Sequence, residues 1–329
     1  MEWSNELFVA LPSGCRICYQ TLGNPKDDAI LVIQGHSTSM TQKSDDLLRL
    51  LCSPPGRPAE SYFIIRFDHR DTGRSTSFSR PAVSSDGSNA SRAPLYTLTD
   101  MVDDIVGLIH HLDLTTVHLV GMSLGSTLAW QTAVRRLPSK TATTVMVKSL
   151  ALVFTSPVGR QQRPSDNLPP LHLEGQWLLG EAFTIPDDPE SNDDGWIAAY
   201  TQLDLALATQ PPTDAERAES RHHSDITYRR EKQSGNMWTK FNHSDASGVR
   251  WPRELLREVR CPTVVVHAEK DQLFPLRHAE AVRDDVPGGA ATLVVLEDCG
   301  HELPQRVRGK LAGAILDNAR IGQQLAEGR

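Results

Sequence analysis

At 329 residues, 39% apolar and 23% charged, the chain has the length and make-up of a globular protein with a sizeable buried core. A net charge of −7 without a dense Lys/Arg run argues against nucleic acid or an anionic membrane surface as partner. No stretch approaches the roughly 18 apolar residues of a membrane helix, and the N-terminus has no basic-then-apolar leader, so the expected location is the cytoplasm.

In chain order, "ELFVAL" (6–11) and "RICYQTL" (16–22) read as two strands of a hairpin joined by a Pro-Ser-Gly turn. Cys15 and Cys18 form a C-x2-C, but no second pair or His cluster completes a metal site. Five cysteines, an odd and sparse set, do not make a disulfide framework. Short apolar runs follow at 29–35, 62–68, 117–122, 147–155, 263–269 and 292–298. Several are nearly continuous, as strands buried on both faces should be.

Helical patterns fall between them. Residues 97–114 place Met101, Ile105, Leu108, Ile109 and Leu112 on one face, with Thr99 as the expected cap. Residues 124–138, 276–289 and 304–328 complete the set. Strands alternating with helices imply an α/β fold with a mainly parallel sheet covered on both sides. Residues 157–250 interrupt this rhythm with helical stretches and no convincing strand. The expected division is a core of residues 1–156 and 251–329 with a helical insertion between them. The polar loop at 79–94 is expected to be mobile.

The chemistry centres on "VHLVGMSLGSTLAW" (117–130). Ser123, between Gly121 and Gly125, ends a buried strand and opens a helix, which is the setting of a nucleophile elbow. The serine needs a base, and the base an orienting acid. His301, in "DCGHELP" after the last strand, is the expected base. Asp271, at the carboxyl end of the preceding strand, is favoured as the acid over Glu269 and Asp298. The oxyanion hole should combine the Leu124 amide with that of His36, whose loop is turned by Gly35.

"DHRDTGRS" (68–75), "GMSLG" (121–125), "AEKDQLFP" (268–275) and "GHELP" (300–304) together resemble the α/β-hydrolase superfamily. The likeness covers most of the chain and is greatest to the aclacinomycin methylesterase-like serine esterases. It implies an eight-stranded sheet, Ser123 as nucleophile, Asp271 as acid, His301 as base, and the His36 and Leu124 amides as oxyanion donors. It also implies a helical cap over 157–250, whose Trp177, Trp196 and Trp238 are expected to shape the pocket. No metal or organic cofactor is implied. The substrate class it points to is a methyl ester or lactone of a fairly apolar, secondary-metabolite-like small molecule. The chain departs from the methylesterase pattern at Gly35-His36, where that family has two glycines, at Leu124, where it has a methionine, and around 79–94 and 139–147.

Three other functions share these features. An iminopeptidase-like enzyme would use D-x-R-x-x-G-R-S and could hold a substrate amine on the acidic run 186–195, although the tryptophan usual after its serine is absent. A non-hydrolytic cyclase or lyase could use the same pocket, and a ligand-binding receptor could use the same fold.

Overall fold

The computed structural model describes residues 1–42, 45–57, 60–79, 93–135, 137, 144–188 and 191–328. Its strands are β1 (Leu7–Ala10), β2 (Arg16–Leu22), β3 (Asp28–Ile33), β4 (Tyr62–Phe67), β5 (Thr116–Met122), β6 (Met146–Val153), β7 (Thr263–Ala268) and β8 (Ala291–Leu296). They form one sheet in the order β1-β2-β4-β3-β5-β6-β7-β8. The β1–β2 hairpin is antiparallel, β2 is antiparallel to β4, and every later pairing is parallel. Every residue of β4 and β7 is buried, which accounts for their nearly continuous apolar sequences, interrupted by Arg66 in β4 and by Thr263 and His267 in β7.

The helices are α1 (Asp45–Cys52), α2 (Leu98–His111), α3 (Leu124–Ala133), α4 (Leu173–Ala182), α5 (Asp193–Leu205), α6 (Asp214–Ser234), α7 (Asn236–Thr239), α8 (Asn242–Ser247), α9 (Leu276–Asp285) and α10 (Gln305–Glu327). Alternate residues of β3 feed two core layers. Leu31 and Ile33 join the side covered by α2, α3 and α9, while Ile30 and Val32 join the side covered by α1 and α10. The period of two along a strand thus becomes two hydrophobic layers on one sheet.

Several boundaries differ from those read in the sequence. The cap of α2 is Thr97, not Thr99. Its side chain accepts from the Asp100 N–H, while Asp100 reaches back to the Thr97 N–H at 2.7 Å, a reciprocal capping box. Helix α3 stops at Ala133, and Pro138 lies outside the described residues. Helix α9 ends at Asp285, before a separate 3-10 turn at Pro287–Gly289. Helix α1 has no counterpart in the sequence reading; its buried Leu47, Leu48 and Leu51 are the signal that reveals it. Residues 80–92 of the polar loop, and 139–143 of the later run, fall outside the described residues.

Strand β3 lies between β4 and β5. The chain leaves β3 toward β4 on one side and returns as β5 on the other, so the loops after β3 and β5 diverge at the carboxyl ends of the strands. Open α/β sheets bind ligands at such a reversal. Between β6 and β7 the described residues form α4 to α8 and no strand, with a small apolar cluster of their own around Trp196, Ile197, Tyr200 and Tyr228.

Candidate active site

Gly121 and Gly125 are where strand and helix touch backbone to backbone. A Cβ on Gly121 would strike the Gly125 carbonyl and the Ser126 Cα; one on Gly125 would strike the Ile33 and Gln34 carbonyls. This contact forces a tight turn. Ser123 sits in it at φ 52°, ψ −118°, a strained left-handed torsion for a residue with a side chain. The turn is held by Ser123 N–H donating to the Val153 carbonyl at 2.8 Å and by Ser126 N–H donating to the Ser123 carbonyl at 3.0 Å. Ser126 Oγ accepts from Val153 N–H at 3.0 Å and lies 2.7 Å from the Gly121 carbonyl. Leu124 begins α3, so its N–H is among those at a helix start that have no partner within the helix.

His301 lies on the loop after β8. Its Nδ1–H donates to Asp271 Oδ2 at 2.9 Å, and its backbone N–H to Gln272 Oε1 at 3.0 Å. Its ring lies between those of Phe154 and Phe274, at 5.5 and 5.7 Å between centroids. The Leu273 and Phe274 amides both donate to Asp271 Oδ1 at 2.8 Å. Burial alone would raise the Asp271 carboxyl, but the His301 charge and hydrogen bond, then His267 and the Phe274 amide, hold it down at about 2. His267, on β7, donates from Nε2 to the Phe274 carbonyl at 2.9 Å, with Asp271 Oδ2 3.8 Å away. The two competing carboxylates are exposed and engaged elsewhere: Glu269 accepts from the Asp298 N–H, and Asp298 pairs with Lys270 at 2.5 Å.

Gly35 closes the floor from the other side, with room for a Cβ only 3.4 Å from Ser123 Cβ. Beyond it, Ser37 Oγ spends its proton on the Lys240 carbonyl at 2.7 Å, so it accepts from His36 Nδ1 at 3.0 Å. His36 Nε2 is then an acceptor for Ser244 Oγ at 3.1 Å. Burial, then the positive charge of Arg160, keeps the His36 ring neutral with its pKa lowered to about 4.

Ser123, Leu124, Gly35, His36 and His301 all line one cavity of about 570 Å³. Asp271 stands behind His301, and Gly121 and Gly125 lie in the backbone contact beneath Ser123. A serine at a helix N-terminus thus lines the same cavity as an imidazole whose Nδ1 is held by an ionised carboxylate, the groups that general-base activation needs. The structure corrects the expectation for the tryptophans, none of which lines the cavity. Trp177 on α4 and Trp238 on α7 are exposed by 63% and 50%, while Trp196 is buried against Tyr228 between α5 and α6. The aromatic walls are instead Phe154, Phe183, Tyr200, Phe241, Trp251 and Phe274.

A family model for the alpha/beta hydrolase fold matches residues 52–304, more than half of the chain. The chain belongs to the α/β-hydrolase fold family. Two rhodomycin D methylesterases, from Streptomyces sp. strain C5 and Streptomyces peucetius, are 24% and 26% identical to it over 306 residues, 91% of this chain and 93% of theirs. Among solved structures, an esterase from Exiguobacterium antarcticum superposes with a TM-score of 0.63 at 19% identity, over 95% of this chain and 98% of its own. The enol-lactonase from Burkholderia xenovorans LB400 does so at 0.64 and 14%, over 95% and 100%. The methylesterase resemblance read from the four motifs is therefore borne out, and the chain is an esterase-type α/β-hydrolase. No helix among the described residues of this α/β-hydrolase is long and apolar enough to cross a membrane.

Three features of the hydrolase site escaped the sequence reading. His267 looks like one polar residue in an apolar strand. Lys240 and Arg160 line the cavity, yet neither belongs to a motif. Lys240 is buried beside Glu231, 2.9 Å from its Oε2, and burial lowers its pKa against the pull of that carboxylate. Only the path of the chain between β6 and β7 brings these two cations to the site.

Proposed function

We propose that this α/β-hydrolase cleaves a carboxylic ester, the methyl ester or lactone of a fairly apolar small molecule, through an acyl-enzyme on Ser123. His301 takes the Ser123 proton as Oγ attacks the carbonyl carbon. Asp271 holds the ring in the right tautomer and stabilises the imidazolium that forms. The Leu124 and His36 amides receive the oxyanion at the helix start. The alkoxide leaves with the proton from His301. Water, deprotonated by the same ring, then attacks the acyl carbon and Ser123 is released.

The observation that carries this reading is that His301, held by Asp271, lines one cavity with Ser123, Leu124 and His36. The cavity's Phe, Leu and Met lining supports an apolar acyl or alcohol part. Residues 157–250 serve as a cap on a core of 1–156 and 251–329; the contributions of α4, α5 and the 240–247 stretch to the lining support that division. The iminopeptidase alternative finds no support, because no described residue of 186–195 lines the cavity. Asp193 is instead occupied by Tyr228 and Lys232, each at 2.6 Å.

Fluorophosphonate labelling of the purified protein with peptide mapping tests the proposal. One label per chain on Ser123 is expected, absent from Ser123→Ala and slowed in His301→Ala. Ester turnover in Ser123→Ala should fall on the order of 10⁶-fold. A folded wild-type protein that takes no label on Ser123 sinks the acyl-enzyme mechanism.

A further inference from the structure

The loop after β3 is held only in part by its own bonds, Thr38 N–H to the Gly35 carbonyl at 3.4 Å and Thr38 Oγ1 to the His36 carbonyl at 3.0 Å. Ser37 stands at φ 55°, a left-handed torsion that a residue with a Cβ keeps only under external constraint. The constraints on Ser37 from outside the loop come from residues some two hundred positions later. Ser37 N–H donates to His243 Nδ1 at 3.0 Å, Ser37 Oγ donates to the Lys240 carbonyl, and Ser244 Oγ donates to His36 Nε2.

That stretch is in turn fastened to "DHRDTGRS", the motif that the mechanism leaves without a task. His243 Nε2–H donates to the Arg70 carbonyl at 2.9 Å. Asn242 Nδ2 reaches Asp71 Oδ2 at 3.0 Å and the Phe78 carbonyl at 2.8 Å. Asn236 Nδ2 lies 2.8 Å from the Ser75 carbonyl and 3.1 Å from that of Gly73. Asp68, fully buried, closes the ring by accepting from Ser39 Oγ and the Met40 amide, both at 2.9 Å, at the far end of the β3 loop.

We infer that residues 240–244 are a strap that sets the oxyanion loop, with His243 as its positioning residue. By accepting the Ser37 N–H, His243 fixes the backbone on the carboxyl side of His36 and so the place of the His36 amide. The inference rests on the reading of that amide as an oxyanion donor. An acceptor at Nδ1 requires a neutral ring with its proton on Nε2, and the Arg70 carbonyl selects that tautomer. Burial, then the neighbouring rings of His69 and His36, at 5.8 and 5.9 Å, keep it neutral. The motif after β4 is thereby given a role: it holds the strap, and the strap holds the loop.

The test compares His243→Ala, His243→Asn and Ser37→Ala in the full-length protein on a p-nitrophenyl ester, with thermal unfolding as the check on folding. Deleting an oxyanion donor costs ~10²–10³-fold in kcat; displacing one should cost less, ~10- to 100-fold in His243→Ala, with KM within about twofold. Asparagine can put its side-chain oxygen where Nδ1 stands, so His243→Asn should recover most of the rate. Ser37→Ala, which loses the bond to the Lys240 carbonyl and the one Ser37 Oγ accepts from His36 Nδ1, should fall ~3- to 10-fold in kcat, and it carries the test alone if His243→Ala does not fold. Full kcat in a folded His243→Ala, or in Ser37→Ala, overturns the strap while wild-type labelling of Ser123 leaves the acyl-enzyme intact. Equal losses in His243→Ala and His243→Asn also overturn it. If wild-type Ser123 takes no label, both readings fall together.

Discussion

The β5–α3 turn and the helices between β6 and β7 face the same cavity but are held by different physics. The turn is steric: two glycines let backbone press on backbone, and apolar strands on both sides leave it nowhere to relax. The helical segment is held largely by charge. Its long helix α6, "DAERAESRHHSDITYRREKQS", has no apolar face that would anchor it alone. Arg230 instead binds Asp68 Oδ2 at 2.6 Å and Glu6 Oε1 at 2.5 Å, and Glu231 receives both Tyr200 at 2.6 Å and Lys240. Buried charges are costly to desolvate and tolerable only when paired. A part built on packing should therefore fail through volume, and a part built on ion pairs through charge.

Gly125→Ala is the sharpest way to break the first half of this comparison. The added methyl meets the Ile33 and Gln34 carbonyls, which cannot swing aside as a side chain could. A loss of about 5 kcal/mol is expected from urea unfolding, and a midpoint near wild type would show that the turn is not sterically locked. Arg230→Met tests the second half. It leaves Asp68 buried with its remaining Ser39, Met40 and Arg74 donors, so a loss of about 3 kcal/mol is expected, at the low end for a broken buried pair. Limited proteolysis should then cut first within residues 205–250. Cleavage that begins in the sheet would contradict an ion-paired helical segment.

The smallest effect belongs to the seam between the two regions. Burial holds His36 and His69 down at about 4, against about 6.5 in an unfolded chain. Between those values the unfolded chain binds protons that the folded rings refuse, so stability rises with pH and is lost as pH falls. The two rings together should remove ~2 kcal/mol between pH 6.5 and 5.5. Asp271 does not contribute to that slope, because with its pKa near 2 its carboxylate stays ionised throughout. Urea midpoints that do not change between pH 6.5 and 5.5 would mean that the seam accepts protons without strain.

Legibility followed the range of the forces. Ser123, Gly121 and Gly125 were readable because strand, turn and helix are consecutive in the chain. His301 and Asp271 were readable because each follows its own strand. The three tryptophans were misplaced because aromatic content says that a segment packs, not which wall it forms; the walls came from Phe154, Trp251 and Phe274 outside the segment and from Phe183, Tyr200 and Phe241 inside it. The cap of α2 was missed by two residues because Thr97 and Thr99 differ only in which side chain reaches the Asp100 amide.

By itself, the sequence determined the alternation of strands and helices, the elbow and the order of Ser123, Asp271 and His301, because local periodicity, glycine sterics and strand ends are written in neighbouring residues. Only the tertiary structure decided that His243 would receive the Ser37 amide, that Asp68 would meet Arg230, and that Lys240 would reach the cavity wall. Those contacts join residues 162 to 206 positions apart, and no local pattern encodes which buried polar group will satisfy which. Each must find a partner when water is excluded, and the fold alone sets which one is within reach.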